Sequence, residues 1–534
     1  MTEMQHHEGK RPLERSMWIS LRSHMKRRPY GVMLASAGLF LAWIPVILHR
    51  SFDADEFEHA HAAWCVFSGM LPYKDFFEHH TPWYYYALRP FFNWFDVTTS
   101  FESARHFLLF GRGLSLALAT LSAFLVFQIG RFWEYRKVGL LAGLFLVSQP
   151  VFFQKAVEMR PDMLALPLFL SSLWFLLRGL TQSTNSTTTR CLRYFLRAGL
   201  GLGAAIMCTQ KVLFVLPGML TGLVIWSLSG VMARGSSMGA HLTTRVGARS
   251  RMLLTLAFLV GVIVPAALTW AAFAHYDAGG EFITNNFLLN AKWKHIETHQ
   301  LHNLIVTSWP ILALCLLGAA ISLSRFFRLR ERRYDGLLFL CTLLGLFAGV
   351  LIMPSAHAQY YLMHMPLVCL FAAQGLLFLV GRARRRARPV LLVIALLPLG
   401  VLPAFALRES SRLRNDGQLA MLRYVFDNTK PEDLVMDGWQ GAGVFRPHAF
   451  HYFFLHQETL AMLPRPKLDA YLNALESGKI RPRLIAMDGH LYALGPRFQA
   501  FVKRNYVSSD GFFYFRNGLW RPRHGGLSRA VRGP

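Results

Sequence analysis

The sequence predicts a mainly α-helical, polytopic membrane protein of about eleven transmembrane helices, with amphipathic helices in its first outer loop and a small carboxy-terminal α/β domain. Three observations carry that prediction. Hydrophobic residues make up 53% of the 534-residue chain and aromatics 14%, too apolar for the surface of an ordinary soluble enzyme. Apolar runs long enough to cross a bilayer as helices recur as far as residue 407. The basic residues behind a formal net charge of +27 are dense in every second connection and sparse in the others.

The apolar runs, in order, are 31–49, 106–129, 138–154, 161–177, 192–209, 212–229, 252–274, 304–323, 335–353, 360–380 and 390–407. They divide the chain into a cytoplasmic basic leader (1–30), a membrane domain (31–407, with its first outer loop near 50–105) and a tail domain (408–534). With the amino terminus in the cytoplasm, the inside connections, including "RFFRLRERR" and "RARRRAR", hold roughly three times the Lys and Arg of the outside ones. Orientation signal and anionic-headgroup contact therefore account for the charge, and no nucleic-acid partner is required. The first run follows basic residues as a secretory signal does, but no small-residue cleavage site precedes "HRSFDADE", so it reads as a retained anchor. Six cysteines spread over spans and both faces imply neither a disulfide framework nor a zinc spacing.

The first outer loop is patterned rather than plain. "TPWYYYALRPFFNWF" has Thr81 as N-cap and Pro82 as first helical residue, and its rings Trp83, Tyr84, Tyr85, Phe91, Phe92 and Trp94 suit the headgroup zone. A simple aromatic belt explains the same rings. In "SFDADEFEHAHAAW" a helix from Asp55 puts Asp55, Glu58, His59 and Ala62 on one face, with His59 in reach of Asp55. A helix start alone also favours acids. After 407 the pattern becomes mixed: helices near 415–428, 467–476 and 495–504 alternate with strands at 433–437, 483–488 and 512–517. An odd number of spans places this tail outside, and it carries neither a GxGxxG nor a Walker pattern.

Sorted by side of the membrane, the unusual polar residues fall outside. They are Asp53, Asp55, Glu56 and Glu58; Glu78, His79 and His80; Glu158, Arg160 and Asp162 in "EMRPD"; Gln210 and Lys211; Lys292, Lys294 and His295; and His357, Gln359 and Tyr360 in "HAQYY". Charged groups beside hydrocarbon are costly, and they are functional when they converge on one cavity. Bland readings exist for each: Arg160 can pin a turn through Glu158 or Asp162, and Lys211 can be an interfacial lysine that snorkels. A divalent cation at His79 and His80 needs Glu78 or His357 as further ligands. An acid cluster plus cations at an outer surface suits transfer of a sugar from a lipid phosphate. The departing phosphate wants positive charge, the incoming hydroxyl wants one carboxylate base, and a single displacement inverts the anomeric centre.

The stretches "DADEFEHAHAAWCVFSGMLPYKDFFEHHTPWYYY", "RPDMLALPLF" and "HAQYYLMHMPLV" resemble the integral-membrane glycosyltransferases of the GT-C fold. The nearest group is the bacterial branch of family 39, related to protein O-mannosyltransferases and lipid A aminoarabinose transferases. The likeness covers 31 to 407 and is best in its first third. It implies that Asp55 is the catalytic base with Glu56 beside it, that Glu78 is the acid of the family's "FE" motif, and that Asp162 is its second-loop acid. Where the aminoarabinose group has a phosphate-binding lysine after that glutamate, this chain has His79, so Arg160, Lys211 and Lys292 become the substitutes.

The resulting expectation is an inverting glycosyltransferase at the outer face of a bacterial inner membrane. It takes a sugar from a polyprenyl-phosphate donor and gives it to a hydroxyl of a glycolipid, polysaccharide or protein. Asp55, Glu56 and Asp162 are the expected catalytic residues; Glu78, His79, Arg160, Lys211, Lys292, His357, Gln359 and Tyr360 are the expected substrate contacts. A divalent cation is a candidate cofactor, and the helix at 82–95 helps admit the lipid chain. The rival from another class is a transporter or lipid flippase, which inverted repeats and broken mid-membrane helices would mark.

Overall fold

The computed structural model describes residues 43–182, 188–232, 247–292, 299–328, 334–353, 357–397, 411–508 and 510–517, with 400, 404, 407 and 408 besides. The leader 1–30, and Lys294 and His295, lie outside the described residues.

Among the described residues, eight helices are long and apolar enough to cross a membrane: Phe101–Trp133, Pro161–Gln182, Thr188–Cys208, Gln210–Ser229, Ala248–His275, Gln300–Phe327, Tyr334–Ile352 and Met365–Arg382. They match eight of the eleven expected runs and make the chain a multi-pass membrane protein. Of the run 31–49 only the helix Trp43–His49 is described, and of 390–407 chiefly the helix Ala387–Leu396. The run 138–154 is broken into Arg136–Ser148 and Pro150–Lys155. Gln149 between them is extended (φ −69°, ψ 130°), as expected of a residue whose successor is proline.

Large apolar side chains on Ala248–His275, such as Leu253, Leu256, Ile263 and Leu268, are exposed, as suits a helix with lipid on one side. Its other side meets Thr188–Cys208 closely: a Cβ on Gly199 would come within 2.0 Å of the Phe258 carbonyl oxygen, so only glycine permits this backbone approach.

The first loop folds back rather than lying on the surface. Asp53 caps the helix Ala54–Phe67, accepting from Asp55 N while Glu56 reaches back to Asp53 N, and Glu56 to Val66 are buried. The next helix is Trp83–Leu88 with Pro82 at its N-cap. Thr81 does not cap it, because its hydroxyl donates to the Ile206 carbonyl at 2.8 Å. Trp94 alone of the six rings is strongly exposed, whereas Tyr84, Tyr85 and Phe92 are buried and Phe92 stacks on Phe107 at 4.1 Å. The expected headgroup belt is instead mostly core, because the tail covers it.

In the tail, β1 (Val435–Asp437), β2 (Leu484–Ala486), β3 (Tyr506–Val507) and β4 (Phe513–Arg516) form one sheet in the order β1-β2-β4-β3. β1 and β2 are parallel and the other pairs antiparallel. Helices Asp416–Asn428, Arg465–Glu476 and Pro496–Asn505 fall where the sequence pattern puts them. This sheet does not hang free. Phe57, Phe77, Tyr85 and Phe92 of the loop share one apolar core with Phe445, Phe454, Leu455 and Phe498 of the tail. Gln418 brackets the Phe52 backbone at 2.7 and 2.9 Å, and Phe77 N donates to His451 O.

Candidate functional site

Two polar groups meet at the start of the helix Ala54–Phe67, one turn apart. The first is built on Arg160, which the turn before Pro161 holds almost fully buried. Its Nη2 donates to Asp55 Oδ2 at 2.5 Å and its Nη1 to Glu158 Oε2 at 3.0 Å. Asp162 Oδ2 lies 3.9 Å from its Nε and 3.3 Å from Lys211 Nζ. Lys211 in turn sits 4.6 Å from the centre of the Tyr360 ring. Glu158 is closed in by Arg50 and Lys155, each at 2.8 Å. Asp55 keeps 21% of its side chain exposed, against 0% for Glu158 and 3% for Asp162, so it is the acid of these three that an incoming molecule can reach.

Burial alone would raise the Asp55 carboxyl, but Arg160, with His59 and Lys155, outweighs it and holds the group well below the usual carboxylate range. Glu158 is likewise pushed up by burial and brought down to about 2 by Lys155, Arg160 and Arg50. The expected His59 partner of Asp55 is replaced by Arg160; the His59 Nδ1 meets the Tyr85 hydroxyl at 3.1 Å.

Glu56 has another task. Arg112 binds it from both sides, Nε to Oε2 at 2.9 Å and Nη2 to Oε1 at 2.7 Å, and the same guanidinium donates to the carbonyls of Ile47, Arg50 and Ser51. Asp53 N and Met159 N take what remains of the carboxylate. Glu56, expected beside the base as a catalytic residue, thus has its carboxylate taken up by Arg112 and two backbone N–H groups, which ties the start of this helix to the span Phe101–Trp133.

The second group is Glu58, Glu78, His79 and His80, all buried, each offering a ligand atom within 4.8 Å of the others. Glu78 Oε1 accepts from His79 N (2.9 Å), His80 N (3.0 Å) and His80 Nδ1 (3.0 Å). Glu58 Oε2 accepts from the indole of Trp439 at 3.1 Å. Burial raises Glu58, and Asp55 and Glu78 raise it further. Burial also lowers both histidines, His80 to about 3 with Lys211 adding to the effect, so both rings are neutral. The His79 carbonyl is anchored by Gln210 and Asn290.

His357 does not join this group; it lies 3.9 Å from Glu458 of the tail, whose other contact is His456 at 2.9 Å. Gln359 is half-buried in the same turn as Tyr360. Lys292 is exposed and takes no part in the buried ion pairs just described. Beside these groups a cavity of about 1160 Å³ opens between the first loop and three spans, lined by Pro82, Trp83, Tyr86, Leu164, Leu268 and Phe273 among others.

Arg112, Lys155, Trp439 and Glu458 went unselected in the sequence. Arg112 alone carries a local signal, a charge inside an apolar run. Nothing near Trp439 announces a partner 381 residues away.

The family profile described as dolichyl-phosphate-mannose-protein mannosyltransferase matches residues 80–248. Compared with curated protein sequences, the chain matches none. Among solved structures it is similar to ArnT from Cupriavidus metallidurans in the apo state, with a TM-score of 0.62 and 14% identity over 92% of this chain and 99% of that one. The same protein bound to undecaprenyl phosphate gives 0.59 at 14% identity and the same coverage. Archaeal oligosaccharyltransferase AglB from Archaeoglobus fulgidus, in complex with an inhibitory peptide and a dolichol-phosphate, gives 0.56 at 12% identity over 93% and 75% of the two chains. The chain thus has the GT-C fold that its sequence resembles.

Proposed function

We propose that this protein is an inverting glycosyltransferase that moves a sugar from a polyprenyl phosphate to a hydroxyl acceptor at the outer face of a bacterial inner membrane. One observation carries the reading: a reachable, ionised Asp55 sits on a buried guanidinium that also leads, through Asp162, to Lys211 and Tyr360.

Asp55 takes the proton of the acceptor hydroxyl as its oxygen bonds to the anomeric carbon, and the bond from that carbon to the phosphate oxygen breaks on the opposite side. The polyprenyl phosphate leaves with its negative charge facing Arg160 and Lys211, so no proton donor is needed. Before the donor arrives Arg160 belongs to Asp55; a phosphate that competes for it makes the carboxylate a stronger base at the moment it is required. Asp162 positions Lys211. The apolar cavity beside Pro82, Trp83 and Tyr86 takes isoprene units, which gives the 82–95 segment its part in admitting lipid. The lipid phosphates bound by ArnT and AglB support a donor of this kind. The excess of basic residues in the alternate connections supports the outward-facing site.

The reading is tested by mass spectra of lipids and surface glycans from cells carrying the native protein, Asp55→Asn at matched membrane level, or a deletion. One sugar-sized mass increment lost equally from both mutant strains is expected, and the species that loses it names the acceptor. An Asp55→Asn strain with native glycans beside an altered deletion strain would remove Asp55 from its role.

A further inference from the structure

We infer that Glu458 of the tail, held between His456 and His357, is a specificity-determining residue on the acceptor side of the site. It accepts a hydrogen bond from an uncharged, hydroxyl-bearing acceptor and turns away acceptors whose receiving group is a phosphate or lies beside a carboxylate. The inference rests on the transferase reading and deepens it.

The seam between tail and loop fixes where Glu458 stands. Phe454 and Leu455 are buried in the apolar core that the tail shares with the first loop, and Leu455 N donates to Gly438 O at 2.7 Å. The next ring, His456, stands edge-on to Trp439 at 5.4 Å and to His79 at 5.6 Å. Glu458 follows at the start of the helix Gln457–Met462, with Oε2 2.9 Å from His456 Nδ1 and Oε1 3.9 Å from His357 Nε2. The hydrogen bond with His456 outweighs burial and holds this carboxyl at about 2, so it is ionised.

These residues close a polar ring with the groups around Asp55. Lys211 lies 4.6 Å from the Tyr360 ring, and that ring lies 6.3 Å from His357. Glu458 and His456 come next, and His79 leads back to the first loop. Burial raises the Tyr360 hydroxyl, and Asp162, Glu458 and Asp55 raise it further, so both reachable carboxylates lie near enough to act on one group.

The ring has two electrostatic sides. Its two cations are recessed: the side chains of Arg160 and Lys211 are 2% and 8% exposed. Arg160 Nε is buried and has no hydrogen-bond acceptor among the described residues, which leaves a donor ready for a phosphate oxygen. By contrast, Asp55 is 21% exposed and Glu458 15%. Neither carboxylate lines the apolar cavity, whose wall includes Leu164 and Cys208, close in sequence to Asp162 and Lys211. A donor phosphate can thus reach the cations from the cavity, while an acceptor meets ionised carboxylates first. A hydroxyl donates to such a group in a charge-assisted hydrogen bond. An anionic acceptor is repelled by both acids before it meets a cation, and like charges brought together are an effective means of rejecting a wrong partner.

The test follows lipids and surface glycans by mass spectrometry in cells carrying the native protein, Glu458→Ala, Glu458→Gln or a deletion, at matched membrane levels. It also measures undecaprenyl phosphate binding to the purified full-length proteins. The sugar increment that the deletion lacks should appear after induction about 10–100-fold more slowly in Glu458→Ala. It should recover in part in Glu458→Gln, whose amide oxygen still accepts a hydrogen bond. Undecaprenyl phosphate should bind Glu458→Ala as tightly as native protein, an outcome that a merely distorted site would not give. Fragmentation of the native product should place the sugar on a hydroxyl of an uncharged group. A sugar found on a phosphate or beside a carboxylate would overturn the proposal and leave transfer from a lipid phosphate standing. So would native transfer by Glu458→Ala beside an altered deletion strain, or loss of lipid binding in Glu458→Ala. A deletion that alters no glycan removes the transferase reading, and the proposal with it. Should Glu458→Ala fail to fold, Glu458→Gln and the native fragmentation spectrum still decide.

Discussion

Asp55 and Glu58 lie one turn apart on a single helix, and their surroundings follow opposite electrostatic rules. Around Asp55 every acid has a permanent cation: Arg160 serves Asp55 and Glu158, Lys155 serves Asp53 and Glu158, and Lys211 serves Asp162. Around Glu58 there is a second carboxylate and two imidazoles that burial keeps neutral. In the first half the neighbouring cations hold Asp55 and Glu158 below the usual carboxylate range, which suits a base and a landing place for phosphate. Among the described residues the second half has no such cation beside it, and burial pushes Glu58 and Glu78 upward, toward their protonated forms. Neighbours on one helix can therefore belong to different chemistries, and pairing decides which.

Replacing Asp55 by Asn should give the largest effect, a fall in transfer of about 10²–10⁴-fold with the protein still folded, because the proton acceptor goes while its shape remains. A turnover assay on purified protein, with size-exclusion behaviour as the folding check, measures it. Glu56→Gln should break the comparison in a different way. It weakens the pair with a wholly buried Arg112, and an uncompensated buried charge costs about 3–5 kcal/mol, so thermal unfolding in detergent should shift sharply downward. Turnover per folded molecule should stay near native, which separates strut from base. Lys211→Ala should be milder, raising the donor concentration needed for half-maximal rate by about 10–100-fold through loss of a charged hydrogen bond of about 1.5–3 kcal/mol.

The smallest effect is expected from pH. Asp55 and Glu158 have folded values below their unfolded ones, so the stability they contribute is complete above about pH 4–5 and is lost as pH falls toward 2. Thermal midpoints should thus be level from pH 8 to 5 as far as these pairs decide them, and should drop on further acidification. His79 and His80, which burial holds below their unfolded values, add a separate loss as pH falls below about 6.5, so the Arg160 pairs are read from the drop below about pH 4, and no further drop there would mean that they do not form.

Much of the frame was legible because it rests on local pattern. Eight spans follow from apolar runs, the tail's helices and strands follow from alternation, and Pro161 starts its helix as a proline at that position should. The gathering of Asp55, Arg160, Asp162, Lys211 and Tyr360 could be guessed from their common side of the membrane, although distance is not written in a sequence. What escaped depends on contacts between remote segments. Glu56 looks like a partner of Asp55 until Arg112, 56 residues on, closes around it. His357 looks like a companion of His79 and His80 until the tail's Glu458 meets it and Glu58 takes that place. The aromatic segment after Thr81 has the composition of a membrane-surface belt, and only the tail's cover makes it core. The break at Gln149 was readable in principle from Pro150, since the restriction on a residue before proline is local.

The division of labour on the Arg160 side is tested most directly by equilibrium binding of undecaprenyl phosphate to purified native, Asp55→Asn and Lys211→Ala proteins. Asp55→Asn should bind the lipid at least as tightly as native protein, because Arg160 no longer has a competing carboxylate, while Lys211→Ala should bind about tenfold or more weakly. Loss of binding in Asp55→Asn together with native affinity in Lys211→Ala would contradict the account.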